Sequence, residues 1–324
     1  AVVIEGAVSL ENVLEMVDWA PKVGFSGYFM QFPDGYAFFD RYYSHTGDPR
    51  GEAEPFSQTA ARDFTIRIEQ EIDRRGLAYH AVGHGWHCRA IGLDVSHWNP
   101  VHAPASPEIK AMLAEVDGVR DYRWDRPMIT SLCFSQEKVR SRTVEAITTY
   151  ACEHPQVDYL HVWLDDGMGN KCDCEVCRQV KPADLYVQML HELDAALTEA
   201  GSDMRIVFIG YADLLWPPAE GAEPLPTERF SFVYANNRSA FEGALDAAYA
   251  EAPELPPFTF RNFSAKRDAR LFAASLRAWQ AFFPGDSMLF EYYFGRGFDQ
   301  VPEARLIHDD VGRLRGMGLG GILN

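Results

Sequence analysis

No run of about eighteen consecutive apolar residues occurs in this chain, so it has no segment of the kind that spans a bilayer as a helix. A membrane is therefore not an expected partner. Basic residues are also scarce: 30 Lys and Arg face 47 Asp and Glu, giving a net charge of −17 with no local basic stripe to reverse it. Such a surface repels a phosphate backbone, which argues against nucleic acid as a partner. Six cysteines in 324 residues are too few for a disulfide scaffold. Internal repeats and low-complexity linkers are missing, so one domain over residues 1–324 is expected. The chain opens Ala1-Val2-Val3-Ile4, without a charged segment followed by an apolar one. Cytoplasmic and secreted locations both stay open, the cytoplasm being favoured by the lack of a signal peptide and of a disulfide framework.

What the chain has is the alternation of a globular α/β protein, with 47% hydrophobic and 24% charged residues. Eight short β-rich runs are predicted as strands: 24–32, 77–83, 128–134, 159–164, 205–210, 230–235, 288–294 and 319–323. Helical periodicity fills the intervals. One helix starts at Ser9 and ends before Pro21. A second is capped by Ser57, carries Phe64, Ile68 and Ile72, and stops at Gly76. A third carries Leu185, Met189, Leu190, Leu193 and Leu197 and ends near Gly201, and a fourth covers Lys266 to Phe283. The proline-rich stretch 216–228 offers no full helix. Eight β-α units predict a (β/α)8 TIM barrel. A doubly wound open sheet would show the same alternation, but no G-x-G-x-x-G opens a helix here, which favours the barrel.

In such a barrel the chemistry sits at the C-terminal ends of the strands. The fourth predicted strand ends His161-Val-Trp163-Leu-Asp165-Asp166-Gly167. Adjacent carboxylates push their pKa values apart, so that one can stay protonated as an acid while the other stays charged. A plain turn with Asp side chains on backbone amides would read the same way. The seventh predicted strand places Glu291 in an aromatic run, where an uncompensated charge is costly. Its compensating partner is Arg296 or another basic side chain, or, functionally, Glu291 is a nucleophile or electrostatic stabiliser facing the fourth-strand acid across the barrel mouth. Other strand ends supply groups suited to sugar hydroxyls and ring faces: His84, Trp86 and His87, then Trp163, Tyr211, Asn236 and Asn237. The run Tyr36, Phe38, Phe39, Tyr42 and Tyr43 reads as a glycan platform, a buried lid, or a contact in a homo-oligomer.

Directly after the acid pair comes Cys172-Asp-Cys174-Glu-Val-Cys177, a spacing that lets three thiolates converge on one tetrahedral ion. Structural zinc is expected in this loop after the fourth strand, with Cys88 as fourth ligand ahead of His87 or His84. Cys133 and Cys152 read as ordinary buried thiols.

These residues form a pattern. Val3-Ile-Glu-Gly-Ala-Val-Ser9, Trp19-Ala-Pro-Lys-Val-Gly24-Phe25, His84-Gly-Trp-His-Cys88, and Trp163-Leu-Asp-Asp-Gly167 with the cysteine cluster together resemble glycoside hydrolase family 163 over residues 3–296. The resemblance implies a barrel enzyme acting on β-linked N-acetylglucosamine, including cleavage within complex N-glycans, with further domains flanking the barrel. The acid pair is also similar to that of hexosaminidases that use the substrate's 2-acetamido group as nucleophile. Asp165 would then orient the acetamido group and Asp166 would be the acid/base. Tyr211 and Asn236 would assist, and Glu291 would bind sugar hydroxyls. In the two-carboxylate scheme Asp166 is the acid/base and Glu291 the nucleophile. Arg296 joins the substrate-binding set in either scheme. The competing readings are a hydrolase of another sugar such as a uronide, a metal-dependent hydrolase built on His84 and His87, and a non-catalytic glycan-binding barrel.

Overall fold

The structure, a computed structural model, describes residues 2–3, 7–45, 50–93, 98–101, 103–235, 245–260, 269–291 and 303–323. In chain order the elements are β1 (Val2–Val3), α1 (Leu10–Trp19), β2 (Gly27–Met30), α2 (Tyr36–Tyr43), α3 (Gln58–Arg74), β3 (Ala78–Ala81), α4 (Trp86–Ala90) and α5 (Pro107–Met112). They continue with α6 (Glu137–Glu153), β4 (Tyr159–Val162), α7 (Pro182–Glu199), β5 (Arg205–Gly210) and β6 (Phe230–Ala235). The last are α8 (Leu245–Ala250), α9 (Ala269–Phe282), β7 (Ser287–Phe290), α10 (Glu303–Arg313) and β8 (Gly321–Leu323). All eight strands join one sheet in sequence order, each parallel to the next. This is the (β/α)8 order of a TIM-barrel-like fold. Among the described residues β8 and β1 are not paired with each other.

Local chemistry explains the helix limits. Ser9 Oγ accepts the Asn12 amide at 3.1 Å and the Asn12 side chain accepts the Ser9 amide, a reciprocal cap that starts α1 with Leu10, Val13 and Val17 buried. Ser57 caps α3 through the Ala60 amide at 3.1 Å, and Gly76 at φ 63 ends it in the left-handed turn that glycine allows. Pro182 opens α7, where its missing N–H costs nothing, and α7 buries Met189, Leu190, Leu193 and Leu197. The stretch 216–228 forms no helix, as expected from its prolines. Among the described residues no helix is long and apolar enough to cross a membrane.

Ring contacts identify the two faces of the sheet. Phe208 and Phe232 lie outward on Trp279 and Phe283, with centroids 5.0–5.9 Å apart. Burying each such ring contributes roughly 1.5–3 kcal/mol, so this layer anchors α9 to β5 and β6. Phe29, His80 and His161 meet on the inner face: Phe29 stacks on His161 at 4.3 Å, and His80 Nδ1 lies 2.9 Å from His161 Nε2. Trp163, just past β4, joins this inner face, its ring 5.4 Å from Phe29 and 5.5 Å from His161.

The sequence reading needs one exchange of strands. The run 128–134 is not in the barrel sheet. Pro127, without an N–H to give a ladder, opens a short 3₁₀ turn, and Leu132 then pairs antiparallel with Leu113 in the excursion between β3 and β4. Its apolar character comes from burial beneath that excursion. The vacant place is taken by β1, whose two residues pair with Tyr28 and Phe29. The remaining predicted strands all occur, shorter at some ends: β2 begins at Gly27 because Gly24, at φ 93, closes the turn after α1. The ends 292–294 of the seventh predicted strand and 266–268 of the fourth predicted helix lie outside the described residues.

Candidate active site

The loop after β4 carries the acid pair at the C-terminal mouth. Asp165 is buried, its side chain fully out of solvent; Oδ1 accepts from Lys171 Nζ at 2.6 Å and Oδ2 from Asn170 Nδ2 at 2.8 Å. Burial alone would raise its pKa, but Lys171, with His87 and Ser131, outweighs that and holds the carboxyl below its ordinary value. Asp166 differs although it is the next residue. It is half-buried, its amide donates to Met128 O at 3.1 Å, and Oδ2 accepts from Trp98 Nε1 at 2.8 Å. Gly167 makes the turn possible: a Cβ there would fall 1.9 Å from Asn170 Nδ2 and 2.6 Å from Ile129 O.

A cavity of about 20 Å³, room for a water molecule, opens beside Asp165 and is walled by His84, Trp163, Lys171, Tyr211 and Asp213. His84 is packed among the rings of Phe32, Trp98 and Trp163, and its Nδ1 has no hydrogen-bond partner among the described residues. Burial lowers its pKa, the charges of Asp166 and Asp165 offsetting this only in part, so the ring is neutral at pH 7. Two walls are held in backbone conformations that L residues rarely adopt. Val82 at φ 46 precedes Gly83 and His84, and Ala212 at φ 50 sits between Tyr211 and Asp213. Gly83 in turn admits Trp163, whose ring would lie 2.4 Å from a Cβ there.

The predicted residues distribute unevenly. Asp165, His84, Trp163 and Tyr211 come together on that wall, with Asp166 beside it. His87 is buried behind it, its Nε2 3.2 Å from Pro127 O and 3.4 Å from Cys88 Sγ; burial lowers its pKa to about 4. Trp86 is fully buried and donates to His161 O at 2.8 Å, a core position. Glu291 follows β7 directly, is 4% exposed, and gives its amide to Leu323 O at 3.0 Å. It comes next after Phe290, whose ring meets Trp163 at 5.7 Å, and is not among the residues walling the cavity beside Asp165. Asn236, Asn237 and Arg296 lie outside the described residues. The aromatic run of α2 forms a packed cluster: Phe38 and Phe39 are buried, and Tyr36 and Tyr43 stack on Phe56 at 5.7 and 5.1 Å.

Two residues escape a reading of the sequence. Lys171 neutralises Asp165, and Asp213 is a second buried carboxyl on the same wall, accepting the Gly169 amide at 2.9 Å. Burial raises the pKa of Asp213, against the pull of Lys171 and the Gly169 amide. The cavity therefore faces two carboxyls with opposite tendencies. The place of Asp213, two residues past Tyr211 at a strand end, is the signal that could have found it.

The cysteine loop closes on a different partner from the one expected. Cys133, Cys172, Cys174 and Cys177 bring their sulfurs within 4.8 Å of one another. Cys88 is buried elsewhere, against His87, and is not the fourth member. The reason is the excursion: Cys133 N bonds Met112 O, and the Glu115 amide donates to Cys172 Sγ at 3.3 Å, so the strand-like run 128–134 is laid against the cysteine loop. Cys152, expected to be buried, is exposed on α6. A tetrahedral site with metal–sulfur bonds of about 2.3 Å has sulfurs about 3.8 Å apart. Cys133 Sγ and Cys174 Sγ are 3.8 Å apart. The four soft donors fit a closed tetrahedral metal site.

No family model matches the chain, and no curated protein matches it. Among solved structures it is similar to an α-amylase from Lactobacillus plantarum, at 12% identity and a TM-score of 0.44, over 100% of this chain and 69% of that one. It is similar to an α-amylase from H. orenii at 13% identity and a TM-score of 0.44, over 99% and 67%. It is also similar to a glycoside hydrolase family 20 β-N-acetylglucosaminidase at 10% identity and a TM-score of 0.43, covering 90% of this chain and 52% of that one. The chain thus spans about half the length of the last.

Proposed function

We propose that the chain is a glycoside hydrolase acting on a β-linked N-acetylglucosamine residue of a glycan. The observation that carries this is the unlike setting of two neighbouring carboxyls: Asp165 buried and held charged by Lys171, Asp166 half-exposed and bonded by the Trp98 indole. General acid catalysis with charge stabilisation needs that division. Asp166 serves as the acid/base at the glycosidic oxygen. Asp165 orients and stabilises positive charge developing at the sugar, with His84 and Tyr211 shaping the wall beside it. Glu291 is the nucleophile in a two-carboxylate mechanism and a hydroxyl ligand in an acetamido-assisted one.

The proposed ion in the thiol quartet is zinc, as a structural clasp. Four protein ligands leave it no open position for substrate, so when bound it supplies folding energy rather than chemistry. His84 and His87, the pair required by a metal-dependent hydrolase, belong to no group of three or more metal-ligating side chains among the described residues.

Turnover of 4-nitrophenyl N-acetyl-β-glucosaminide and of complex N-glycans, measured for the parent, Asp166→Asn and Glu291→Gln, tests this reading. The Asp166 variant should lose about 10²- to 10⁴-fold in kcat. Undiminished turnover in both variants, or none in the parent, overturns it.

A further inference from the structure

Trp124 is the most exposed large hydrophobic residue among those described, at 68% of its surface. Its backbone is no ordinary loop. Trp124 (φ 51) and Asp125 (φ 57) both occupy the left-handed region, a pairing of non-glycine residues that persists only where the surroundings enforce it. The surroundings do so. The Arg123 amide donates to Thr130 Oγ1 at 2.9 Å, Thr130 Oγ1 donates to Arg126 O at 2.7 Å, and the Val101 amide donates to Asp125 O at 2.7 Å.

Both segments that brace this turn also hold Asp166. Val101 lies three residues past Trp98, the indole that donates to Asp166, and Met128 O takes the Asp166 amide. Arg123 supplies a further tie, donating to Gly169 O at 3.4 Å in the loop after β4. The same guanidinium lies 4.5 Å from the Trp124 ring centroid, covering one face of the indole. Since one face is covered and the residue is still 68% exposed, the other face stands open to water.

We propose that this open face of Trp124 is a stacking platform for a sugar ring of the glycan lying outside the cleaved bond. The inference rests on the glycan reading of the site and adds a binding subsite to it. The ring is held in orientation before any ligand arrives, so stacking costs little side-chain entropy, and the C–H face of a pyranose is the apolar surface that an indole accepts.

Calorimetric titration of the Asp166→Asn chain with tetra-N-acetylchitotetraose, with a biantennary complex N-glycan and with free N-acetylglucosamine tests it. Trp124→Ala should weaken oligosaccharide binding roughly tenfold and leave the monosaccharide unchanged, while Trp124→Phe restores most of the loss. With Asp166 intact, Trp124→Ala should raise KM for the N-glycan and leave kcat on the nitrophenyl glycoside unaltered. Oligosaccharide affinity indifferent to Trp124, in a parent that turns glycans over, overturns the platform and spares the hydrolase reading. Trp124-dependent binding without turnover in the parent does the reverse. Absence of binding to all three sugars overturns both.

Discussion

Lys171 reaches Asp165 with its ammonium 2.6 Å from Oδ1, and the residue after it, Cys172, belongs to the thiol quartet. The charge that keeps Asp165 ionised is thus delivered by the same loop that carries three of the four clustered thiols.

Removing that lysine strands a buried carboxylate. Lys171→Met should cost about 3–5 kcal/mol, the range for breaking one side of a buried pair, and Lys171→Met combined with Asp165→Asn should recover part of it. Thermal melts of the single and double variants measure the coupling. Additive losses would mean the two side chains do not interact.

The two buried carboxyls should give opposite signatures in pH. Asp165 has a folded pKa below its unfolded one, so it stabilises at neutral pH and loses that contribution as pH falls through about 4 and below. Asp213 has a raised folded pKa, so its contribution is fully present below about 4 and is lost as pH climbs towards that raised value. The Tm of Asp165→Asn relative to the parent should therefore fall between about pH 3 and pH 6, while that of Asp213→Asn should rise. Parallel curves for both variants would contradict the assignment.

Metal content separates the two candidates for the fourth ligand. The parent should bind about one zinc per chain. Cys133→Ser should lose the ion and stability on the order of several kcal/mol, whereas Cys88→Ser should keep the ion. Elemental analysis of purified chains reads this directly, and a Cys88 variant without metal would contradict the quartet.

Gly167 admits no side chain without displacing Asn170, which donates to Asp165 Oδ2. Gly167→Ala should destabilise by about 1–3 kcal/mol and depress turnover, while Gly316→Ala, where a Cβ meets nothing within 4 Å, should stay within about 0.5 kcal/mol of the parent. Equal melting of the two variants would refute the crowding at Gly167.

The parts of this molecule that periodicity encodes are legible in its sequence. β5 and β6 are runs of branched and aromatic residues bounded by turns, and their predicted limits agree with the structure. Ser57 and Gly76 delimit α3 for reasons local to the chain. β1 escapes because two residues carry no period, and 128–134 misleads because burial under an excursion selects the same residues as a central strand. Asp165 and Asp166 announce themselves by adjacency. Lys171, Asp213 and Cys133 do not, since each acquires its role only when separate loops are folded against one another. Cys88, which the sequence puts just after a strand end, is the expected fourth ligand, and the folding of the 113–133 excursion against the cysteine loop brings Cys133 there instead.

That pairing has an engineering consequence. The span around 113–135 and the loop 165–177 are joined by the Glu115–Cys172 contact and by Met128–Asp166, and the four thiols gather between them, so the two pieces form one unit for transplantation. Grafting either piece alone into another scaffold would leave thiols without their complement; transplanting both together would carry the quartet across, and Trp98 would have to be supplied as well to seat Asp166.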